Sequence, residues 1–179
     1  VNNHATKKAT STELGHVMVD GQTITVDGAG KISANASSSS FRGALIQGSG
    51  SMTLANNSAS AIRLSNLVIE YDTNNFFNNS NPSRLTIPSG VSKIRVMAHL
   101  QFGEMSSGYA TLHLRKNGGG TVGNNLIMER GVSGFVIYMT FISPIIKVSQ
   151  GDYLEIYATQ TSGQSISVSL NNLCLEVLE

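Results

Sequence analysis

The stretch KIRVMAHLQF, Lys93–Phe102, carries the clearest fold signal in this 179-residue sequence. Every second residue in it is apolar: Ile94, Val96, Ala98, Leu100 and Phe102. Successive side chains of a β-strand point to opposite faces of its sheet, so this alternation predicts a strand with one face against a core. The second face would carry Arg95, Met97, His99 and Gln101, a mixed set.

Other segments of this kind lie on both sides of Lys93–Phe102. They are RLTIPSG (84–90), GYATLHLRKNGG (108–119), GFVIYMTFISPIIKV (134–148), GDYLEIYATQ (151–160) and SISVSLNNLCLEVLE (165–179). The last of them predicts one or two strands, and no amphipathic helix is indicated anywhere. Short strands at regular spacing predict an all-β sandwich or barrel.

The N-terminal region has a different character. GHVMVDGQTITVDGAGKISA, residues 15–34, predicts short strands at 16–20, 22–27 and 31–34, with turns at Asp20-Gly21 and 28–30. The Ser-rich NASSSSFRG, residues 35–43, is the one clear break in composition. We therefore expect a lead-in and stem segment over 1–40 and a head domain over 41–179.

The stem segment has little apolar bulk of its own. Its candidate core residues are Val17, Val19, Ile24, Val26 and Ile32. Five such side chains do not offset the conformational entropy lost when about twenty residues become ordered. Three chains wound around one axis would supply the missing apolar surface and cover the strand edges. The alternative is that the segment is disordered and its alternation is accidental.

Several strands of the head are also apolar or aromatic on the face turned away from the predicted core. A sheet face of this kind needs cover, and no helix is available to supply it. Contact between subunits is the expected cover, which predicts a subunit interface near Met97, His99, Tyr153, Tyr157 and Cys174. The lone Cys174 supports no disulfide or zinc site, and its simplest interpretation is a small buried side chain.

Two family resemblances add to this interpretation. Residues 15–34 resemble a short segment of bacteriophage tail fibres, in which Val-Asp-Gly and Thr-Ile-Thr-Val precede Asp-Gly and Ile-Ser-Ala. Residues 43–179 resemble the jelly roll shared by tumour necrosis factor and complement-type trimers. The matching pieces are PSRLTIPSGVSKIRVMAHLQF, YATLHLRKNG, PIIKVSQGDYLEIYA and NLCLEVLE. The closing strand lacks the Phe-Ser-Gly-Phe type of ending that complement relatives have.

These resemblances imply a homotrimer with a jelly-roll head on a short, β-rich, intertwined stem. The implied function is that of a phage tail-fibre tip, at the distal end of the fibre on the virion. It would follow an upstream fibre shaft of the same chain and attach to a bacterial surface glycan or another cell-envelope receptor. The alternative is a purely structural trimerisation or capsid-decoration knob that binds no host.

Composition limits the other function classes. The formal net charge is +1 and only 13% of the residues are charged, which indicates neither nucleic-acid binding nor attraction to a charged membrane surface. No apolar run approaches the ~20 residues of a membrane span, so no membrane insertion is expected. We expect no enzymatic activity and no cofactor. We also expect no metal, because none of the four histidines has metal-ligand spacing.

Glu70 and Asp72 are the best candidates for catalytic or cation-binding residues. They could act as a carboxylate pair in a polysaccharide depolymerase or a self-cleaving chaperone domain, or bind a cation, but an exposed strand end explains them more simply. Three copies of His99 meeting at an axis could bind an ion, although a plain interface histidine is the simpler interpretation. A secreted cytokine-like ligand is a further alternative that the fibre-like N-terminal segment disfavours.

Two places are candidates for receptor binding. In NNFFNNSNPS, residues 74–83, Asn74, Asn75, Phe76 and Phe77 could form an aromatic platform surrounded by amides. On the strand at 109–116, Tyr109, His113 and Arg115 share a face and could stack on sugar rings and hydrogen-bond to hydroxyls. The simpler alternative for the loop is that one phenylalanine packs into the core and the other covers the end of the sheet. The simpler alternative for the strand is a solvated sheet face.

Overall fold

The computed structural model describes residues 24–26, 32–34, 41–130 and 135–178. The chain divides into two compact units, Val1–Ser40 and Phe41–Glu179. All regular elements within the described ranges are β-strands. That part of the chain has no helix with the length and apolar character needed to cross a membrane.

The first unit contains two described strands. β1 (Ile24–Val26) pairs antiparallel with β2 (Ile32–Ala34), and Thr25 lies opposite Ser33. These strands fall within two of the three predicted stem strands, while the one predicted at 16–20 lies outside the described residues. Ile24 and Ile32 are 37% and 63% exposed. Neither side chain is therefore buried within a single chain.

The second unit is formed by strands β3 to β14. Their bounds are β3 Gly43–Gly48, β4 Ser51–Leu54, β5 Ser60–Ala61, β6 Leu67–Asp72, β7 Leu85–Thr86, β8 Lys93–Phe102, β9 Tyr109–Lys116, β10 Thr121–Arg130, β11 Ile137–Ile142, β12 Ile146–Lys147, β13 Tyr153–Gln160 and β14 Ile166–Val177.

These strands form two antiparallel sheets that pack face to face. The seven-stranded sheet has the order β11-β8-β14-β3-β6, with β12 also paired to β8 and β4 to β14. The five-stranded sheet has the order β10-β9-β13-β5, with β7 also paired to β13. The chain crosses repeatedly from one sheet to the other, for example between β8 and β9 and between β13 and β14. This connectivity is a jelly-roll sandwich, and it confirms the predicted fold class of the head.

Strand β8 lies in the middle of the seven-stranded sheet, between β11 and β14. All five residues of its predicted apolar face are buried against the opposite sheet. The predicted alternation is therefore confirmed residue by residue, and Met97 and His99 lie half-buried on the outer face. The largest side chains in the core between the sheets include Phe76, Phe102 and Phe141.

The structure adds strands that the segments named above do not include, namely β3 to β6 and β10. Residues 121–130 form β10, which had no strand prediction; its pairing with β9 shifts register between Thr121 and Leu126. The C-terminal segment forms one long strand, β14, with an irregularity between Leu170 and Asn172 where it pairs with β8.

Candidate functional site

The outer face of the seven-stranded sheet carries a row of apolar and aromatic side chains that crosses five strands. Strand register aligns Ile142, Met97, Cys174, Leu45 and Tyr71, taken in order from β11, β8, β14, β3 and β6. Ile142 is 57% exposed, and the other four members of this apolar row are half-buried. Val68, which lies on the edge strand β6 opposite the exposed Gln47, adds further exposed apolar surface to this face.

His99 lies beside the apolar row. Its Nδ1 atom is 3.0 Å from Thr140 Oγ1, and its ring stacks on Tyr138 with a centroid separation of 5.8 Å. A shallow depression next to the ring is lined by Met97, Ala98, His99, Thr140, Asn172 and Cys174. On the other side of the row, an ion pair joins Arg95 Nη1 to Glu176 Oε2 at 3.6 Å.

The titratable groups within the apolar row are held in their neutral forms. Burial raises the pKa of the Cys174 thiol, and the nearby Glu176 carboxylate adds to this rise against the opposing hydrogen bond from Tyr71. Burial also raises the pKa of Tyr71, and Cys174 reinforces the shift. The row therefore carries no charge at neutral pH, and Cys174 is a free thiol with low reactivity.

The five residues predicted for one subunit interface lie on two different sheets. Met97, His99 and Cys174 come together on the outer face of the seven-stranded sheet. Tyr153 and Tyr157 lie on the outer face of the five-stranded sheet, where each ring is covered by an arginine. One flat contact cannot include all five, because the two outer faces are on opposite sides of the sandwich.

A buried carboxylate organises the outer face of the five-stranded sheet. Glu155 belongs to the outward-facing set of β13, yet it is only 5% exposed. Its Oε1 atom accepts hydrogen bonds from Arg84 Nε at 3.1 Å and from Ser83 Oγ at 3.2 Å. The Arg84 guanidinium also lies 3.9 Å from the centroid of the Tyr153 ring. The hydrogen bond to Glu155 raises the pKa of Arg84, so the guanidinium remains charged.

The predicted stripe on β9 lies beside this ion pair. Arg115 is directly opposite Glu155 in the sheet, and its guanidinium lies 4.0 Å from the centroid of the Tyr157 ring. His113 lies opposite Tyr157, with its Nε2 atom 3.4 Å from Thr111 Oγ1. Partial burial lowers the pKa of His113, and the Arg115 charge lowers it further. At neutral pH His113 is uncharged, and Arg115 is the cation of the stripe.

Tyr109 begins the stripe and is 43% exposed. The structure therefore places Tyr109, His113 and Arg115 on one outer face, as the strand alternation predicts. The sequence analysis missed two residues of this surface, Arg84 and Glu155. The available signal was Glu155, a charged residue that shares a strand face with Tyr153 and Tyr157. Nothing in the neighbouring sequence identifies Arg84 as its partner.

The loop prediction at 74–77 needs correction. Phe76 and Phe77 are 0% and 8% exposed, so both rings belong to the core and neither can be presented to a glycan. Asp72 fixes this arrangement, because its two carboxylate oxygens accept the backbone N–H groups of Phe76 and Phe77, each at 2.9 Å. The alternative of core packing is correct for both residues, and the aromatic platform does not exist.

The two asparagines of this loop remain at the surface. Asn74 is half-buried, and its Oδ1 atom accepts hydrogen bonds from Arg42 Nε at 3.3 Å and from Thr73 Oγ1 at 3.0 Å. Asn75 is exposed and has a positive φ of 57°, a conformation that asparagine tolerates better than most residues. Both residues have roles in shaping the loop.

Among the described residues, Glu70, Asp72, His99 and His113 do not belong to a group that could hold a metal ion. Asp72 is engaged with the backbone as described, and Glu70 is exposed on β6. Within the described ranges, no three side chains of His, Cys, Asp or Glu come together in a way that could hold a metal ion.

Comparison with known proteins identifies the fold type. No family model matches the sequence, and no curated protein matches it. A solved structure of Eiger TNF from S. frugiperda superposes with a TM-score of 0.54, covering 78% of this chain and 93% of its own, at 11% sequence identity. Murine APRIL at pH 5.0 superposes with a TM-score of 0.55, covering 78% of this chain and all of its own, at 8% identity. At such low identities the likeness shows the fold alone, which is the tumour-necrosis-factor type of jelly roll.

Proposed function

We propose that this chain is a non-enzymatic adhesion module, the tip of a phage tail fibre, which attaches the virion to a bacterial surface glycan as a homotrimer. The head would contact the receptor, and the N-terminal segment would connect it to an upstream shaft. The fibre-like sequence at 15–34 and the jelly-roll fold of the head support this proposal.

The observation that carries the proposal is the apolar row on the outer face of the seven-stranded sheet. It crosses five strands and is uncharged at neutral pH. An exposed sheet face of this composition is typical of a protein–protein interface. Three copies packed through this face would leave the outer faces of the three five-stranded sheets pointing away from the axis. Three receptor sites on one particle would then multiply a weak single-site affinity.

Adsorption blocking tests the proposal. The purified chain, added in excess to host cells, should compete with phage adsorption, and a glycan array should show selective binding. Tyr109→Ala should weaken glycan binding by about tenfold, since the stacking of one aromatic ring on a sugar is worth about 1.4 kcal/mol at a site of this kind. Tyr109→Phe keeps the ring and serves as the matched control. Absence of both adsorption blocking and glycan binding would count against the adhesion function.

The structural knob is a second candidate with an observation in its favour. Phe76 and Phe77 are buried, and the Arg84–Glu155 pair is satisfied within the chain. These groups contribute to stability and leave a smaller exposed surface for a receptor than the sequence suggested. A chain that assembles as a trimer but fails both binding assays would support this candidate.

A further inference from the structure

The two arginines on the outer face of the five-stranded sheet have different surroundings. Both guanidinium groups cover a tyrosine ring, Arg84 over Tyr153 at 3.9 Å and Arg115 over Tyr157 at 4.0 Å. Arg84 also donates its Nε hydrogen to Glu155, and Ser83 donates to the same oxygen. The charge of Arg84 is therefore neutralised within the chain.

Arg115 has no such acceptor among the described residues. Although it lies directly opposite Glu155 in the sheet, the ion pair of Glu155 within the described part of the chain is with Arg84. The Nε atom of Arg115 is shielded from solvent and has no hydrogen-bond partner among the described residues. A shielded donor on a charged group is unfavourable when it is left unpaired. The shielded Nε is closed to a ligand, but Arg115 as a whole is half-buried, so an incoming acceptor would bind the terminal nitrogens of a guanidinium that stacking on Tyr157 holds in place.

The groups along β9 extend the site in one direction. From Arg115 the stripe continues through the uncharged His113 to the exposed ring of Tyr109, a distance of about 20 Å at the usual rise per strand residue. The half-buried imidazole of His113 offers ring surface for contact with a sugar, and an exposed tyrosine ring can pack against the apolar face of a sugar. This arrangement suits an extended chain that carries an acidic group at one end.

We propose that Arg115 binds the carboxylate of an acidic sugar, with Tyr157 holding the guanidinium and with His113 and Tyr109 contacting the following sugar residues. This inference rests on the proposed glycan attachment and names the chemical class of the glycan. A planar guanidinium matches a carboxylate through paired N–H donors, which a neutral sugar hydroxyl cannot reproduce.

The charge of the site favours a carboxylate over a phosphate. Among the described side chains of the stripe, Arg115 is the cation without an ion-pair partner, and the buried Glu155 lies opposite it in the sheet. A singly charged carboxylate balances Arg115 alone, whereas a phosphate monoester carries nearly two charges and would leave one of them without a partner at this site. Sugars that carry uronic or similar carboxylic acids are therefore the expected ligands.

The test uses the full chain and two defined probes, trigalacturonic acid and the neutral galactotriose, with affinity measured by NMR titration. The acidic trisaccharide should bind at least about tenfold more tightly than the neutral one, as expected for charge-assisted hydrogen bonds. Arg115→Gln should weaken binding of the acidic probe by about tenfold, and Arg115→Lys, which keeps the charge but loses the planar fork, should weaken it about threefold or more. Lys147→Gln removes the same charge from an exposed position on the other sheet and should leave the affinity unchanged.

Several outcomes would overturn the inference. They are equal affinity for the acidic and neutral probes, an Arg115→Gln variant with unchanged affinity and an unchanged melting curve, and binding of inorganic phosphate as tight as that of the uronate. If the chain still blocks phage adsorption in these cases, the adhesion function stands and only the acidic-sugar assignment fails. If the uronate binds as expected but adsorption is unaffected, the site stands and the adhesion function fails.

Discussion

Asp152 shows how one side chain can join two turns of the head. It accepts a hydrogen bond from Asn117 Nδ2 at 2.7 Å, one from the Ser149 backbone N–H at 2.9 Å and one from Lys116 Nζ at 3.1 Å. The Asn117 amide contributes most to lowering the pKa of Asp152, and the three donors together bring it from 3.8 to about 2. The carboxylate therefore stays ionised in the folded chain at pH values where an unfolded chain would be protonated.

This shift predicts a pH-dependent effect of Asp152→Asn. A carboxylate whose pKa is lower in the folded state stabilises the fold above its unfolded pKa, and this contribution disappears as the pH falls through its folded pKa. At pH 7 the variant should melt at a lower temperature than the wild type. The difference should shrink as the pH falls from about 4 to about 2. Thermal unfolding by circular dichroism across this range measures it, and a difference that stays constant down to pH 2 would contradict the prediction.

The candidate site shows what residue patterns can and cannot predict. Tyr109, His113 and Arg115 were assigned to one face because alternation along a single strand fixes it. The Arg84–Glu155 pair joins residues 71 positions apart, so no local pattern reports it. Alternation also shows that Met97 and Tyr153 point outward, but not that they belong to different sheets. Sheet membership depends on the long-range strand order.

At the scale of elements, the strands with regular alternation were predictable and the irregular ones were not. β8, β9 and β13 each bury every second residue, so a period of two reveals them. The segment TVGNNLIMER interrupts its apolar residues with Gly-Asn-Asn, and the corresponding strand β10 shifts register along this stretch. β7 and β12 are two residues long and are defined by their pairing partners.

The entry into β9 gives a prediction at this scale. Gly108 has a φ of 76°, and a Cβ atom at this position would overlap the backbone carbonyl of Thr161. The Thr161 backbone N–H donates to the Tyr109 carbonyl, and the Tyr109 N–H donates to Thr161 Oγ1, so neither segment can move away easily. Gly108→Ala should therefore reduce the free energy of unfolding by about 2–3 kcal/mol, as for a residue forced into a strained conformation.

A matched glycine is available as the control for this measurement. Gly120 lies in the turn that follows β9, and a Cβ atom there would meet nothing within 4 Å. Gly120→Ala should change the free energy of unfolding by less than about 0.5 kcal/mol. Urea denaturation of both variants compares them directly, and equal midpoints would show that the close approach of Gly108 to Thr161 is unimportant for stability.

At the scale of the whole molecule, the apolar row on the seven-stranded sheet predicts self-association. Ile142 is exposed in the single chain, so a charged side chain there leaves the core of the head intact. In a trimer built through this face, Ile142→Glu would place carboxylates in an apolar interface, where loss of solvation is strongly unfavourable. Light scattering should give the wild type about three times the 19.0 kDa mass of one chain, and the variant the mass of a monomer.

Two comparisons separate the possible sources of this assembly. Thr86→Glu adds the same charge at an exposed position on the five-stranded sheet and should leave the trimer intact, because that face points away from the proposed axis.

The head alone, residues 41–179, contains the complete apolar row and should remain a trimer. A trimer formed by the full chain but not by the head would instead place the assembly in the stem segment. Monomers of both would refute the threefold arrangement, because the apolar row would then be stable in contact with water.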